Sequence, residues 1–343
     1  MKALVKTDLG FGNLEIQDKE EPQAGKDQVK IEVKYAGVCG SDIHTYEGHY
    51  KVAAPVTLGH EFAGVVVEAG EGVTAFKPGD RVTSETTFYI CGECAYCRSG
   101  DYNLCNHRKG LGTQQDGGFA KYVIARKDSL HHLPENVSFQ EGAMTEPLAC
   151  THHAVSKTEI HEGDIAVVIG PGPIGLFTAQ VAKSRGAKVI ITGLTNDKVR
   201  LEKAEELSID HVVNIQEQDV KELVNSLTDG YGADLVFECS GAIPAAKQGL
   251  DLLRKKGQYA QVGIFPEPEV QFDMEKVIQK EIRVVGSRSQ KPADWEPSLE
   301  LMNNGSVNAN DMVTHEYAIT QWDDAYKAIK DGEATKVLLT PVE

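Results

Sequence analysis

Apolar and polar side chains alternate along Val29–Tyr35, the period of a strand with one buried face. Phe62–Ala69 and Ala120–Ala125 read as further strands, and turn signals at Pro78-Gly79-Asp80, Gly117-Gly118 and Pro134 punctuate the stretches between them. Many short strands with frequent turns predict a barrel-like β domain over the first part of the chain. The pattern changes near residue 150. Asp164–Ile169 is a short, mostly apolar run, which predicts a buried parallel strand. Leu176–Arg185 predicts a helix that stops at Gly186. Beyond it Lys188–Thr192, Asp234–Cys239 and Gln258–Gly263 predict strands. Asn196–Leu207 and Pro244–Arg254 predict helices, the first capped by Thr195 or Asn196. This alternation predicts a doubly wound parallel sheet. After about residue 287 the order loosens, and Lys336–Thr340 closes the chain as a strand expected to return to the first domain.

Between the strand at 164–169 and its helix stands Gly170-Pro171-Gly172-Pro173-Ile174-Gly175. Strand, G-x-G-x-x-G and helix together are the context of a dinucleotide-binding turn. Gly170 allows the tight turn, Gly172 lets a pyrophosphate approach the backbone, and Gly175 lets helix and strand pack closely. The helix N-terminus then offers N–H groups and a positive dipole end to the phosphates.

The chain has 343 residues, enough for two domains with separate cores. Its formal net charge of −16 argues against nucleic acid or an anionic membrane as a partner, though a local basic pocket remains compatible with an anionic substrate. Met1–Asp8 shows no long apolar stretch, and no run approaches a membrane span, so the expected location is cytoplasmic. Seven cysteines are too few for a disulfide scaffold, and four of them fall within fifteen residues, which points to metal binding in a reducing compartment.

Those four are Cys91, Cys94, Cys97 and Cys105. Four thiolates at this spacing close around one tetrahedral zinc with no open position, a structural site. An iron–sulfur cluster uses the same ligand type. A second set is mixed: Cys39, then His60-Glu61, then Glu146. One thiolate, one imidazole and carboxylates suit a metal that keeps an open position, with zinc favoured and manganese acceptable to a carboxylate-rich set. Singly, Cys39 reads as a small buried apolar residue, His60 as a hydrogen-bonded core histidine and Glu146 as a helix-start carboxylate. Their combination favours the metal. Ser41 and His44 follow Cys39 closely. A hydroxyl beside such a centre can take the proton of an alcohol and pass it to a histidine near solvent. Otherwise Ser41 is a turn residue and His44 a surface histidine.

On these motifs, and on the terminal Lys336–Leu339, the chain resembles the zinc-containing medium-chain alcohol and polyol dehydrogenases over essentially its whole length. The resemblance implies an α/β fold with a Rossmann doubly wound parallel sheet at about 150–286. A split GroES-like β-barrel catalytic domain at about 1–149 and 287–343 would surround it. It implies that Cys39, His60 and Glu146 hold the catalytic zinc, with Glu61 beside it as ligand or switching carboxylate. Glu146 stands where simple alcohol dehydrogenases carry a second cysteine, as in the sorbitol-type branch, which moves the expected substrate toward polyols.

Within that branch, Ser84–Tyr89, His107–Gln115, Gly286–Gln290 and Trp295 resemble the arabitol-phosphate dehydrogenases. That likeness implies oxidation of arabitol phosphate to a ketopentose phosphate. The alternatives are a free polyol such as sorbitol, another secondary alcohol such as threonine or a diol, and a dinucleotide-binding protein without catalysis. Arg288 is expected to face the substrate, Lys291 to add charge for a phosphate, and Tyr46 and Phe119 to line the pocket. Val262, Ile264 and Ser287 are expected to frame the nicotinamide. The family suggests a homodimer or homotetramer. An NAD-preferring domain usually ends its second strand with Asp or Glu, to hold the ribose 2′-OH. Here the strand ends at Thr192-Gly193, with Thr195, Lys198 and Arg200 following. The absence of an acid there favours NADP, with NAD tolerated. Lys198 and Arg200 can meet a 2′-phosphate or simply face solvent, and Asp197 can still reach the ribose.

Overall fold

The computed structural model describes residues 1–267 and 269–342. They form two compact units, one of Met1–Glu146, Lys291–Asn303 and the segment from Val313 onward, the other of Pro147–Gln290 and Asn304–Met312.

The first unit is built on the strand Gln28–Gly37, whose buried Val29, Ile31 and Val33 alternate with half-exposed Lys30, Glu32 and Lys34. It pairs antiparallel with Glu61–Ala69 and Tyr122–Arg126, and near its end with Lys336–Thr340. The closing strand therefore belongs to this unit. The sheet has seven strands, continuing outward to Arg81–Ser84 and Leu130–His132 on one side and Val313–Ala318 on the other. A smaller sheet of Leu14–Asp18, Lys2–Lys6 and Val56–Thr57 was not anticipated, since its strands are short and mostly lack alternation.

In the second unit six parallel strands run in the order His211–Asn214, Lys188–Gly193, Ile165–Ile169, Ala233–Glu238, Leu253–Gln261, Arg283–Gly286. This is the order of a dinucleotide-binding sheet, with its switch point between Ile165–Ile169 and Ala233–Glu238. Every residue of Ile165–Ile169 is buried, as a strand covered on both faces requires.

Three expectations shift. The helix expected to reach Arg254 spans Ile243–Leu252, because Leu253 enters the sheet opposite Ala233. The helix expected from Asn196 begins at Lys198, after a 3-10 turn over Thr195–Asp197. The segment Asn304–Met312, expected with the catalytic domain, groups with the second unit. There Gln180 accepts from the Asn308 N–H at 2.7 Å and donates to the Met312 sulfur at 3.6 Å.

Candidate active site

Cys39 ends the turn after Gln28–Gly37 and caps the helix Gly40–Tyr46, while Glu61 begins the neighbouring strand Glu61–Ala69 with His60 just before it. The antiparallel register places Gly37 opposite Glu61. Ligand atoms of Cys39, His60 and Glu61 consequently lie within 4.8 Å of one another. Glu146, in the first turn of Thr145–Ser156, is buried and acts electrostatically on His60, though it stands outside that tightest group.

Asp42 was not singled out from the sequence. Its carboxylate accepts from the Cys39 N–H at 3.0 Å and turns its other oxygen to within 3.8 Å of His60 Nδ1. That buried nitrogen has no hydrogen-bond partner. A metal on Nε2 would fix the tautomer with the proton on Nδ1, facing the carboxylate. Asp42, Cys39 and Glu146 together raise the His60 pKa well above its ordinary value, against the opposing effect of burial. A cation among these anions would take the place of the second imidazole proton, the one on Nε2. The donor set and its surplus of negative charge thus fit a zinc.

Lys336, expected only as the start of the closing strand, takes part in a buried ion pair. Its ammonium pairs with Glu61 and donates to the Val38 carbonyl at 3.0 Å, with both charged side chains at most 2% exposed. Burial lowers the Lys336 pKa, but the charges of Glu61, Cys39 and Glu146 outweigh it and raise the net value. Gly37 makes room for this pair: a Cβ there would stand 2.2 Å from Glu61 Oε2. Lys336 therefore competes with any cation for the same carboxylate.

Ser41 and His44 lie on the same short helix, spaced to share a face. Ser41 is half-buried and His44 exposed. Two residues expected to line the pocket, Phe119 and Tyr46, pack with the core of the first unit. Phe119 is fully buried against Gly59, where a Cβ would come within 2.3 Å of its ring, so it braces the residue before His60. Tyr46 packs among Phe11, Trp322 and Tyr326. Arg288 is exposed in the second unit, whereas Lys291 belongs to the first and pairs with Asp101 at 3.2 Å.

The four-cysteine lobe supports its expected role directly. Sulfur–sulfur distances are 3.8 Å for Cys91–Cys97, 3.5 Å for Cys94–Cys97 and 3.7 Å for Cys105–Cys91. A tetrahedron with Zn–S near 2.3 Å has edges of about 3.8 Å. Cluster ligands bound to different irons would stand farther apart. Backbone N–H groups bring the Cys105 thiol down to about 7, while desolvation and the neighbouring sulfurs push Cys97 up to about 12. A dication at the centre lets all four ionise. Tyr102 donates to buried Glu85, and Arg108 donates to Thr87 at 2.8 Å, which fastens the lobe to the sheet.

In the second unit Gly170 takes φ +99° and Gly172 caps the helix Pro173–Ser184, with no side chain on the first N–H groups. A Cβ on Gly175 would stand 1.8 Å from the Gly170 carbonyl oxygen, whereas one on Gly172 would meet nothing within 4 Å. Gly175 is thus needed by the fold, and the space over Gly172 fits a pyrophosphate. Pro173 and Ile174 form the helix's first turn. At the neighbouring strand ends, Val262 donates to Glu238, Ser287 donates to Gln261, and Ile264 is 87% exposed. Glu238, another residue missed, is fully buried and accepts from Ser240 and Gly241 N–H groups and from Gln261 Nε2 at 2.6 Å. It ties these loops together beside the glycine turn, since Ser240 packs on Gly170.

Residues 25–135 match the family profile described as the alcohol dehydrogenase GroES-like domain, and residues 173–304 match that of the zinc-binding dehydrogenases. The chain is 72% identical to sorbitol dehydrogenase of Halalkalibacterium halodurans over the full length of both. It is 48% identical to D-arabitol-phosphate dehydrogenase of Enterococcus avium, over 99% of this chain and 97% of the relative. The crystal structure of 2R,3R-butanediol dehydrogenase from Bacillus subtilis superposes with a TM-score of 0.90, at 33% identity over 99% of each chain. No helix among the described residues is long and apolar enough to cross a membrane. The glycine turn and the two clustered donor sets thus sit in a chain that these likenesses cover from end to end, and it belongs to the zinc-containing medium-chain alcohol dehydrogenases, NAD(P)-dependent oxidoreductases acting on CH–OH groups.

Proposed function

We propose that this chain oxidises a free polyol of the sorbitol type to the corresponding ketose, with NADP as the favoured acceptor and NAD tolerated. The observation that carries the reading is the close group of half-buried Cys39 and His60 with buried Glu61, within electrostatic reach of buried Glu146, a donor set of mixed thiolate, imidazole and carboxylate. The free-polyol substrate is supported by 72% identity to a protein named sorbitol dehydrogenase, against 48% to one named for arabitol phosphate. The preference for NADP is supported at the end of Lys188–Gly193, which carries no acid. Asp197 there is occupied, accepting from the Leu194 N–H at 3.0 Å and from Arg200 at 3.2 Å.

In this reading Cys39, His60 and Glu146 hold the catalytic zinc. When bound, zinc would supply the Lewis acidity that brings the pKa of a bound hydroxyl down toward neutrality, and the nicotinamide would supply a hydride acceptor. Asp42 holds the His60 ring. Lys336 keeps Glu61 in its ion pair, so the carboxylate stays close without filling the open position. Ser41 takes the alcohol proton and passes it to His44, which releases it to solvent.

The test is initial rates with sorbitol, arabitol, arabitol phosphate, threonine and 2,3-butanediol, each with NADP and with NAD. The expected result is a kcat/KM for a free polyol at least tenfold above that for arabitol phosphate. A preference for the phosphate ester would overturn the substrate reading and restore the pentitol-phosphate one.

A further inference from the structure

The end of the helix Gly40–Tyr46 and the turn after it bring three more ligand-type side chains together: His44, Glu47 and His49. The His44 carbonyl accepts from the N–H groups of His49 at 2.8 Å and Tyr50 at 3.1 Å, which folds residue 49 back beside residue 44. Gly48 permits this fold-back with φ +82°, and a Cβ there would stand 2.8 Å from the Gly10 carbonyl carbon. The turn is therefore packed against the 10–12 segment, whose Gly12 N–H donates to the Tyr46 carbonyl at 2.8 Å.

This backbone aims both imidazoles at one oxygen. His44 Nδ1 is 3.8 Å and His49 Nδ1 3.6 Å from Glu47 Oε2. The carboxylate's other oxygen is anchored by Lys330 at 2.7 Å and Tyr326 at 3.1 Å. The hydrogen bond from Lys330 also holds the Glu47 carboxyl below its usual range, so it is ionised at neutral pH. The imidazole–carboxylate distances are too long for hydrogen bonds. Ligands about 2.05 Å from a tetrahedral zinc stand about 3.4 Å apart, so each imidazole nitrogen has only a few tenths of an ångström to close toward the carboxylate oxygen, and all three ligand atoms already lie within 4.8 Å of one another. The histidine side chains are 62% and 71% exposed and have room to make it.

We infer that His44, Glu47 and His49 form a third, exchangeable site for a borderline transition-metal dication of the zinc or nickel class, and that an ion there slows turnover by occupying the imidazole of His44. Two imidazoles and one carboxylate are the ligand types such ions prefer. The Lys330 ammonium repels a cation, which makes this site weaker than the two less exposed ones. The inhibitory part rests on the proton-exit role proposed for His44.

The experiment uses the full-length enzyme carrying its two tightly held zinc ions. Zinc chloride is titrated into wild type and His49→Ala by calorimetry, and initial rates are read across the same concentrations. His49 has no part in the proposed reaction, so the basal rate of the variant should match wild type. The expected result is one further equivalent bound by wild type, weakened at least tenfold in His49→Ala. Turnover should fall with the same saturation curve in wild type and not in the variant. Equal binding of the extra equivalent by His49→Ala would overturn the site. Binding that is lost in His49→Ala but leaves wild-type turnover unchanged would support the metal site and overturn its inhibitory part, together with the exit role of His44. Neither outcome bears on which polyol is oxidised.

Discussion

Replacing Lys336 with Met tests whether Glu61 is held back from the metal by a buried ion pair. Methionine keeps most of the side-chain volume, so packing beside Gly37 is retained while the ammonium is lost. Both partners are at most 2% exposed. Removing one member of such a pair costs about 3–5 kcal/mol, because the other charge stays buried without a partner. An exposed pair would cost only about 0–1 kcal/mol. For a domain of this size each kcal/mol moves the Tm by about 2–4 °C, so the chelated variant should melt roughly 6–20 °C below wild type. Zinc should recover a large part of that loss, since the ligand atoms of Cys39 and His60 lie within 4.8 Å of Glu61 and a cation there would neutralise the freed carboxylate. The double variant Lys336→Met/Glu61→Gln, with no buried charge in the pair, should melt above Lys336→Met without metal. The assay is thermal unfolding of all three proteins, chelated and zinc-loaded, with kcat measured alongside. Activity of the zinc-loaded single variant should fall, because the released carboxylate fills the open position. A chelated Lys336→Met within about 1 kcal/mol of wild type would refute the buried-pair argument, and equal losses with and without zinc would refute the reach of Glu61 to the metal.

Three further outcomes are expected. Gly175→Ala should destabilise the second unit, since its Cβ meets backbone at 1.8 Å, whereas Gly172→Ala should leave the Tm nearly unchanged and weaken cofactor binding in a fluorescence titration. Asp42→Asn removes the anion facing His60 Nδ1 and should lower affinity for the catalytic zinc by about 10–100-fold in a competition with a chromophoric chelator. His131 donates toward Glu85 and Glu296 and stacks on Trp295. Burial lowers its pKa, but these two carboxylates outweigh it and the net shift is upward. A raised folded pKa gives stability that is full below the unfolded value, about 6.5, and is lost as pH rises through the folded one. Wild-type stability should therefore fall across that window more steeply than that of His131→Gln, as read by denaturant titrations at several pH values.

The features legible in the sequence are those whose partners lie close along the chain. Cys91, Cys94, Cys97 and Cys105 lie in one short loop, and the glycine turn joins a strand directly to its helix, so spacing alone carried their chemistry. Alternation in Val29–Tyr35 and the unbroken apolar run before Gly170 likewise reported how many faces of each strand are covered. Glu61 and Lys336 stand 275 residues apart and meet through pairing of the strands that flank Gly37, which no local period encodes. The same limit explains Phe119, whose apolar character fitted a pocket wall as well as the core, and Lys291, whose charge fitted a phosphate as well as Asp101. The sequence by itself determined most of the element types, the glycine turn and the four-cysteine set, because these depend on composition and short spacing, and it named the ligand types of the mixed set without bringing them together. Only the tertiary structure decided which charges were already engaged, because that depends on distant strands being brought within hydrogen-bonding range.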